Sequence, residues 1–135
     1  TIHIVAILTN IPFTWSEPTH EISMKIISYT VLLMFESKPF NQMDNSLIVD
    51  FLRSRQYLEK SGSGVRFPQN TYIGIEKQMV LDWESEKDGA AKLKQRLYGI
   101  LRRIKNLEPT PMVIFLMISP EEKTLTFVPR LKGKK

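Results

Sequence analysis

Apolar positions along the chain change their spacing several times, and each change marks an expected element. Residues 2–8 form a nearly continuous, β-branched apolar run, which suits a buried strand. Asn10, Pro12 and Pro18 then punctuate a loop. Residues 21–37 are apolar almost all round, with Ile22, Met24, Ile26, Ile27, Val31, Leu32, Leu33, Met34 and Phe35. Read as a helix, this segment has no polar face, so it is buried on several sides or meets a partner on one of them. Its β-branched content makes a strand the alternative, and Pro39 closes the element either way.

Asp44 or Asn45 can cap a helix over 46–60, in which Leu47, Ile48, Phe51, Leu52 and Leu58 recur at helical spacing. The segment Ser61-Gly62-Ser63-Gly64 ends it and reads equally as a natural loop and as an engineered linker. Short strands are expected at 65–67, 71–75 and 78–83, broken by Pro68 and Gly74, and 84–89 reads as a charged turn. The clearest helix covers 90–107. Leu93, Leu97, Ile100, Leu101, Ile104 and Leu107 share one narrow face of it, and Pro109 and Pro111 stop it. Residues 112–119 have strand length and 120–123 turn chemistry, while 124–131 alternates as the returning strand of a hairpin. This pattern predicts one α/β or α+β domain over 1–131, a mixed or antiparallel sheet packed by two or three helices. A frayed basic tail occupies 132–135.

The chain's 135 residues suit one domain with a core of its own, and 42% hydrophobic with 24% charged residues is an ordinary globular mix. The absence of cysteine removes disulfides, iron–sulfur clusters, thiolate zinc sites and cysteine nucleophiles. The two histidines, His3 and His20, cannot build a His-rich metal site, and no GxSxG elbow accompanies them. The longest apolar stretch, 26–35, is far short of the ~20 residues that span a bilayer, so no membrane association is expected. No signal peptide is visible, and an intracellular location, nuclear or cytoplasmic, is the expectation. Because Thr1 is not an initiator Met, the chain is expected to be an excerpt or a processed product.

Charge changes the picture more than composition does. The formal net charge of +5 hides a split: residues 1–86 carry a net of −3 and residues 87–135 a net of +8. Lys92, Lys94, Arg96, Arg102, Arg103 and Lys105 surround the apolar face of the 90–107 helix, with no acid between Lys92 and Lys105. Such a face attracts polyanions, because each neutralised phosphate releases counterions, and it predicts contact with RNA or DNA. Tyr98 lies between Lys94 and Arg102 on the helical wheel, where an aromatic ring among cations can stack on a base. The competing reading is a solvated helix face, since no RNP1, KH or zinc-finger pattern accompanies the charge.

Candidate chemistry is sparse. Glu121-x-Lys123 after an expected buried strand, with Asp82 upstream, has the residue types of a metal-dependent nuclease site. A hairpin turn explains the same three residues. The acids Asp82, Glu84 and Glu86 could hold a metal, but acids ahead of a helix also favour its positive end. His20 has the chemistry of a general base and equally that of an exposed loop residue. A recognition helix at 46–64 with a wing at 65–75, bringing Arg53 and Arg55 to phosphate, is a minor alternative. No catalytic residue, metal ligand or cofactor is assigned.

One order of elements is family-like: an apolar helix ending Leu33-Met34-Phe35-Glu36-Ser37-Lys38-Pro39-Phe40, short strands, the basic helix with Leu101-Arg102-Arg103-Ile104-Lys105-Asn106-Leu107, then a final hairpin of Pro111-Met112-Val113-Ile114-Phe115-Leu116-Met117-Ile118 and 124–131. Over roughly 22–40 and 90–131 this order resembles the small non-catalytic subunit of the eukaryotic tRNA-splicing endonuclease. The resemblance implies a nuclease-like fold without a complete active site, pairing through its C-terminal strands with a sister subunit. Catalytic members of that family use a Tyr, His and Lys set, and here no His follows position 20. The 46–60 helix and the N-terminal strand depart from the family's pattern.

The expected function is therefore a non-catalytic binding or assembly subunit of a larger complex that handles nucleic acid, RNA foremost. Its basic helix would contact phosphate through Lys92, Lys94, Arg96, Tyr98, Arg102, Arg103 and Lys105. A protein partner or second copy would bind through the apolar 22–35 helix or the C-terminal strands. The alternatives are a metal-dependent nuclease using Asp82, Glu121 and Lys123, and a protein-interaction subunit with no nucleic acid.

Overall fold

A single 18-residue strand, His20–Ser37, organises the molecule. In the computed structural model, which describes residues 2–8, 20–37, 46–107 and 112–129, the elements in chain order are β1 (Ile2–Leu8), β2 (His20–Ser37), α1 (Ser46–Ser54), β3 (Thr71–Leu81), α2 (Glu86–Leu107) and β4 (Met112–Pro120). A short 3-10 turn, Glu121–Lys123, follows β4. Every strand pairs antiparallel to β2: β1 along 20–26, β3 along 24–34 and β4 along 29–37. A strand has only two edges. Since β1 and β4 each overlap β3 along β2, they must lie end to end on its other edge. The sheet holds four strands but is only three wide.

Register separates two faces, because successive side chains alternate. On the inner face Ile27, Tyr29, Val31, Leu33 and Phe35 of β2 sit beside Tyr72, Gly74, Glu76 and Val80 of β3 and Met112 of β4, all buried. Helix α2 covers this face with Leu93, Leu97 and Leu101, and α1 adds Ile48 and Leu52. Each such apolar side chain stabilises the fold by roughly 1.5–3 kcal/mol. The expectation of an antiparallel sheet packed by helices is met.

Two local devices set the helix ends. Ser85 accepts a bond from the Asp88 amide while Asp88 accepts one from the Ser85 amide, at 3.1 and 2.9 Å. This reciprocal capping box starts α2 at Glu86 rather than residue 90, and the expected charged turn is its first turn. Helix α1 ends at Ser54, not near 60, because Gln56 takes a left-handed φ of 63°. Tyr57 N–H then reaches the Leu52 carbonyl at 2.9 Å and Gln56 N–H the Arg53 carbonyl at 3.0 Å, the Schellman pattern.

The largest correction concerns residues 21–37, which form a strand and not a helix. Its residues pair across to β1, β3 and β4 along its whole length. The expected strands at 71–75 and 78–83 are one continuous β3, since Gly74 does not break it. A Cβ at Gly74 would lie 2.5 Å from the Tyr57 ring, so the glycine serves packing. Residues 65–67 contribute only an isolated bridge between Lys60 and Arg66. The described part of the expected last strand, 124–129, pairs with nothing regular. The basic tail at 132–135 lies outside the described residues.

Candidate interaction surfaces

Helix α2 presents two different flanks. Toward β3, the cations are already engaged. Lys92 Nζ lies 2.6 Å from Glu84 Oε1, which also accepts the Leu81 amide at 2.8 Å. These two donors, Lys92 first, hold the Glu84 carboxyl below its ordinary pKa. Arg96 donates to the Lys77 carbonyl at 2.8 Å and to Gln78 Oε1 at 3.2 Å, and stands 3.8 Å from Glu76. Two of the expected phosphate contacts, Lys92 and Arg96, are thus tied into the fold.

Toward β4 the picture differs. Lys94, Tyr98, Leu101, Arg102 and Lys105 line a groove of about 240 Å³ whose floor is Met112, Ile114 and Leu116. At helical pitch these α2 residues fall within one arc, and Lys94 to Lys105 spans about 16 Å. Tyr98 is 62% exposed, as its off-stripe position predicts. Lys94, Arg102 and Lys105 have no ion-pair partner among the described residues. Arg103 lies on the other side of the helix, exposed and likewise without one.

A buried polar cluster joins the inner sheet face to both helices. Glu76, 6% exposed by side chain, receives Arg55 through two bonds at 2.6 and 3.2 Å and the Tyr57 hydroxyl at 3.0 Å. Burial first, and the Glu76 carboxylate second, push the Tyr57 hydroxyl well above its ordinary pKa. The guanidinium of Arg55 also lies over the Phe51 ring at 5.8 Å. Arg53 pairs with Glu59 at 3.8 Å, so neither arginine of the supposed recognition helix is poised for phosphate. Every oxygen of Glu76 is occupied, which suits a structural tie.

The residues of the nuclease alternative have contacts of their own. Lys123 Nζ bonds Glu86 Oε1 at 2.7 Å, which raises the Lys123 pKa, and no group of three His, Cys, Asp or Glu suited to a metal occurs among the described residues. The Asp82 amide is spent on the Ser23 carbonyl at 3.1 Å, tying the end of β3 to β2. The His20 side chain, the possible general base, lies outside the described residues.

A second surface draws on residues 22–35 and β4, the segments expected to meet a protein partner. The outer face of the sheet carries Met24, Ile26, Leu32 and Met34 of β2, Ile73, Ile75 and Met79 of β3, and Val113, Phe115 and Met117 of β4. No helix among the described residues packs on it. Val113, Phe115 and Met117 are 71, 52 and 55% exposed. Beyond β4, Leu125 and Phe127 project from the unpaired 124–129 segment, 86 and 72% exposed. No helix among the described residues is long and apolar enough to cross a membrane. No protein-family model, curated protein or solved structure matches this chain.

Proposed function

We propose that the protein is a non-catalytic binding and assembly subunit whose α2 helix lies along the phosphate backbone of a nucleic acid. The observation that carries this reading is the division of the α2 cations. Those toward β3 are consumed by Glu84, Gln78 and the Lys77 carbonyl, while Lys94, Arg102 and Lys105 line one groove with no ion-pair partner among the described residues. Such a 16 Å stripe parallels a length of duplex bearing on the order of ten phosphate charges. Exposed Tyr98 sits within the stripe, where a ring offers a base a stacking face. The contact set is thus narrower than composition suggests: Lys94, Tyr98, Arg102 and Lys105, with Arg103 on the other side of the helix.

The test is fluorescence anisotropy of labelled single-stranded RNA, structured RNA and duplex DNA across a salt series. Three phosphate contacts give a log–log salt slope of about −3 on duplex, and Arg102→Glu flattens it by about 1. Lys92→Ala leaves the slope unchanged, because that cation is held by Glu84. Absence of binding at low salt, or an equal effect of Lys92→Ala, refutes the reading.

A second reading, a subunit that binds protein alone, is favoured by the unpaired 124–129 segment. Leu125 and Phe127 alternate along the exposed chain that follows β4, and the edge of β4 away from β2 has no strand partner among the described residues. An open strand edge suits strand addition by a partner chain, in keeping with the C-terminal pairing that the endonuclease-subunit resemblance implies.

A further inference from the structure

From the outer sheet face we infer that the protein forms a two-fold dimer with a second copy of itself, the two β2 strands stacked antiparallel across the interface. The inference does not depend on the phosphate reading and concerns the opposite side of the sheet. Three observations support it. First, the exposed apolar residues that such a stacking covers, Met34, Ile75, Val113, Phe115 and Met117, offer free surface on the order of 500 Å² per copy. Two such faces remove roughly 1,000 Å² from water, the area a biological interface has to reach. Second, Met34 and Met117 lie within this area, and flexible thioethers fit themselves to a facing surface.

Third, the described charges on this face form a self-complementary pattern. Register places one acid, Glu36, opposite Val113 at one end of β2, and one base, Lys77, opposite Ser28 toward the other. Neither side chain has an ion-pair partner among the described residues. Leu32 lies midway between positions 28 and 36 and pairs with Ile73 and Met117. Stacking two sheets with β2 antiparallel and the two Leu32 residues facing brings Glu36 of each copy over Ser28 of the other. Lys77 is then one strand spacing away, about 4.8 Å, across sheets about 10 Å apart, within reach of two long side chains. An isologous interface requires this reciprocity, because residue i meets j and j meets i about the axis. Face to face about Leu32, the acid of each copy meets the base of the other.

The experiment is sedimentation equilibrium of the full chain at several loading concentrations, with far-UV circular dichroism to check folding. The wild-type chain is expected to be a dimer. Phe115→Asp, at an exposed position, abolishes dimerisation with the spectrum unchanged. Lys77→Glu and Glu36→Lys each weaken dimerisation by about tenfold, as two opposed rim charges become like-charged pairs. The double variant Lys77→Glu/Glu36→Lys restores wild-type affinity. A monomer at every concentration overturns the inference, as does a dimer indifferent to folded Phe115→Asp. A double variant no stronger than the singles overturns the antiparallel stacking.

Discussion

Gly89→Ala is the sharpest test of how α2 is seated on the sheet. Tyr29 is wholly buried at the middle of β2, and its hydroxyl donates to the Glu86 carbonyl at 2.6 Å in the first turn of α2. Gly89 stands directly above. A Cβ there would meet the Tyr29 hydroxyl oxygen well inside van der Waals contact, with Val80 Cγ1 at 3.1 Å and Tyr29 Cζ at 3.2 Å. The obstructing atom ends a rigid ring held on a central strand, so it cannot swing aside. On helix propensity alone, alanine should stabilise this position by about 1 kcal/mol. Overpacking costs about 1–3 kcal/mol, and displacing the hydroxyl from its acceptor strands a buried donor at about 1–3 kcal/mol more. The net expectation is destabilisation by about 2–4 kcal/mol. Tyr29→Phe alone removes one hydrogen bond, about 1 kcal/mol. It also removes the clashing atom, so the double variant should be more stable than additivity allows by about 2 kcal/mol. Urea unfolding followed by circular dichroism measures all four corners of the cycle. A neutral or stabilising Gly89→Ala, or strict additivity, would refute the close approach.

Two further outcomes follow from the polar contacts. Ser85→Ala removes one half of the capping box and should cost about 1 kcal/mol in urea unfolding, with the m-value unchanged. Tyr57 gives a pH test: its folded-state pKa lies above the unfolded value, so its contribution is complete below about pH 10 and is lost as pH rises through the folded value. Stability of the wild-type chain should therefore fall between pH 9 and 11.5, and Tyr57→Phe should start lower by about 1 kcal/mol and fall less steeply. Parallel curves would assign the alkaline loss to other groups.

How much could be read in advance depended on whether an element had one polar face. Helix α2 does, and its buried residues Leu93, Leu97 and Leu101 are those the wheel selects. Its end at Leu107 is also as expected, and its start was legible in the spacing of Ser85 and Asp88, a capping signature read instead as charge in a turn. The end of α1 carries no such sign. A glutamine in the left-handed region is set by Tyr57 docking against Gly74 and Glu76, contacts made far along the chain. The consumption of Lys92 and Arg96 was equally hidden, because Glu84 and Gln78 reach them only once β3 and α2 lie side by side.

Strand β2 was opaque for a reason that bears on function. A strand announces itself by alternation when one face meets water and the other a core. Here the inner set, Ile27, Tyr29, Val31, Leu33 and Phe35, interleaves with an outer set of Met24, Ile26, Leu32 and Met34 that is nearly as apolar. Period two vanishes from the sequence and the segment imitates a helix without a polar side. A sheet in a lone, fully solvated molecule has no use for such an outer set, and exposing it invites association. Among the described side chains, only Ser28, Thr30 and Glu36 relieve the pattern on the outer face of β2, and of these only Glu36 is exposed. The feature that hid the strand is thus the one that calls for a second layer over it. The placing of Glu36 and Lys77 about Leu32 makes another copy of this chain the fitting layer, leaving the α2 cations on the opposite side free to meet phosphate.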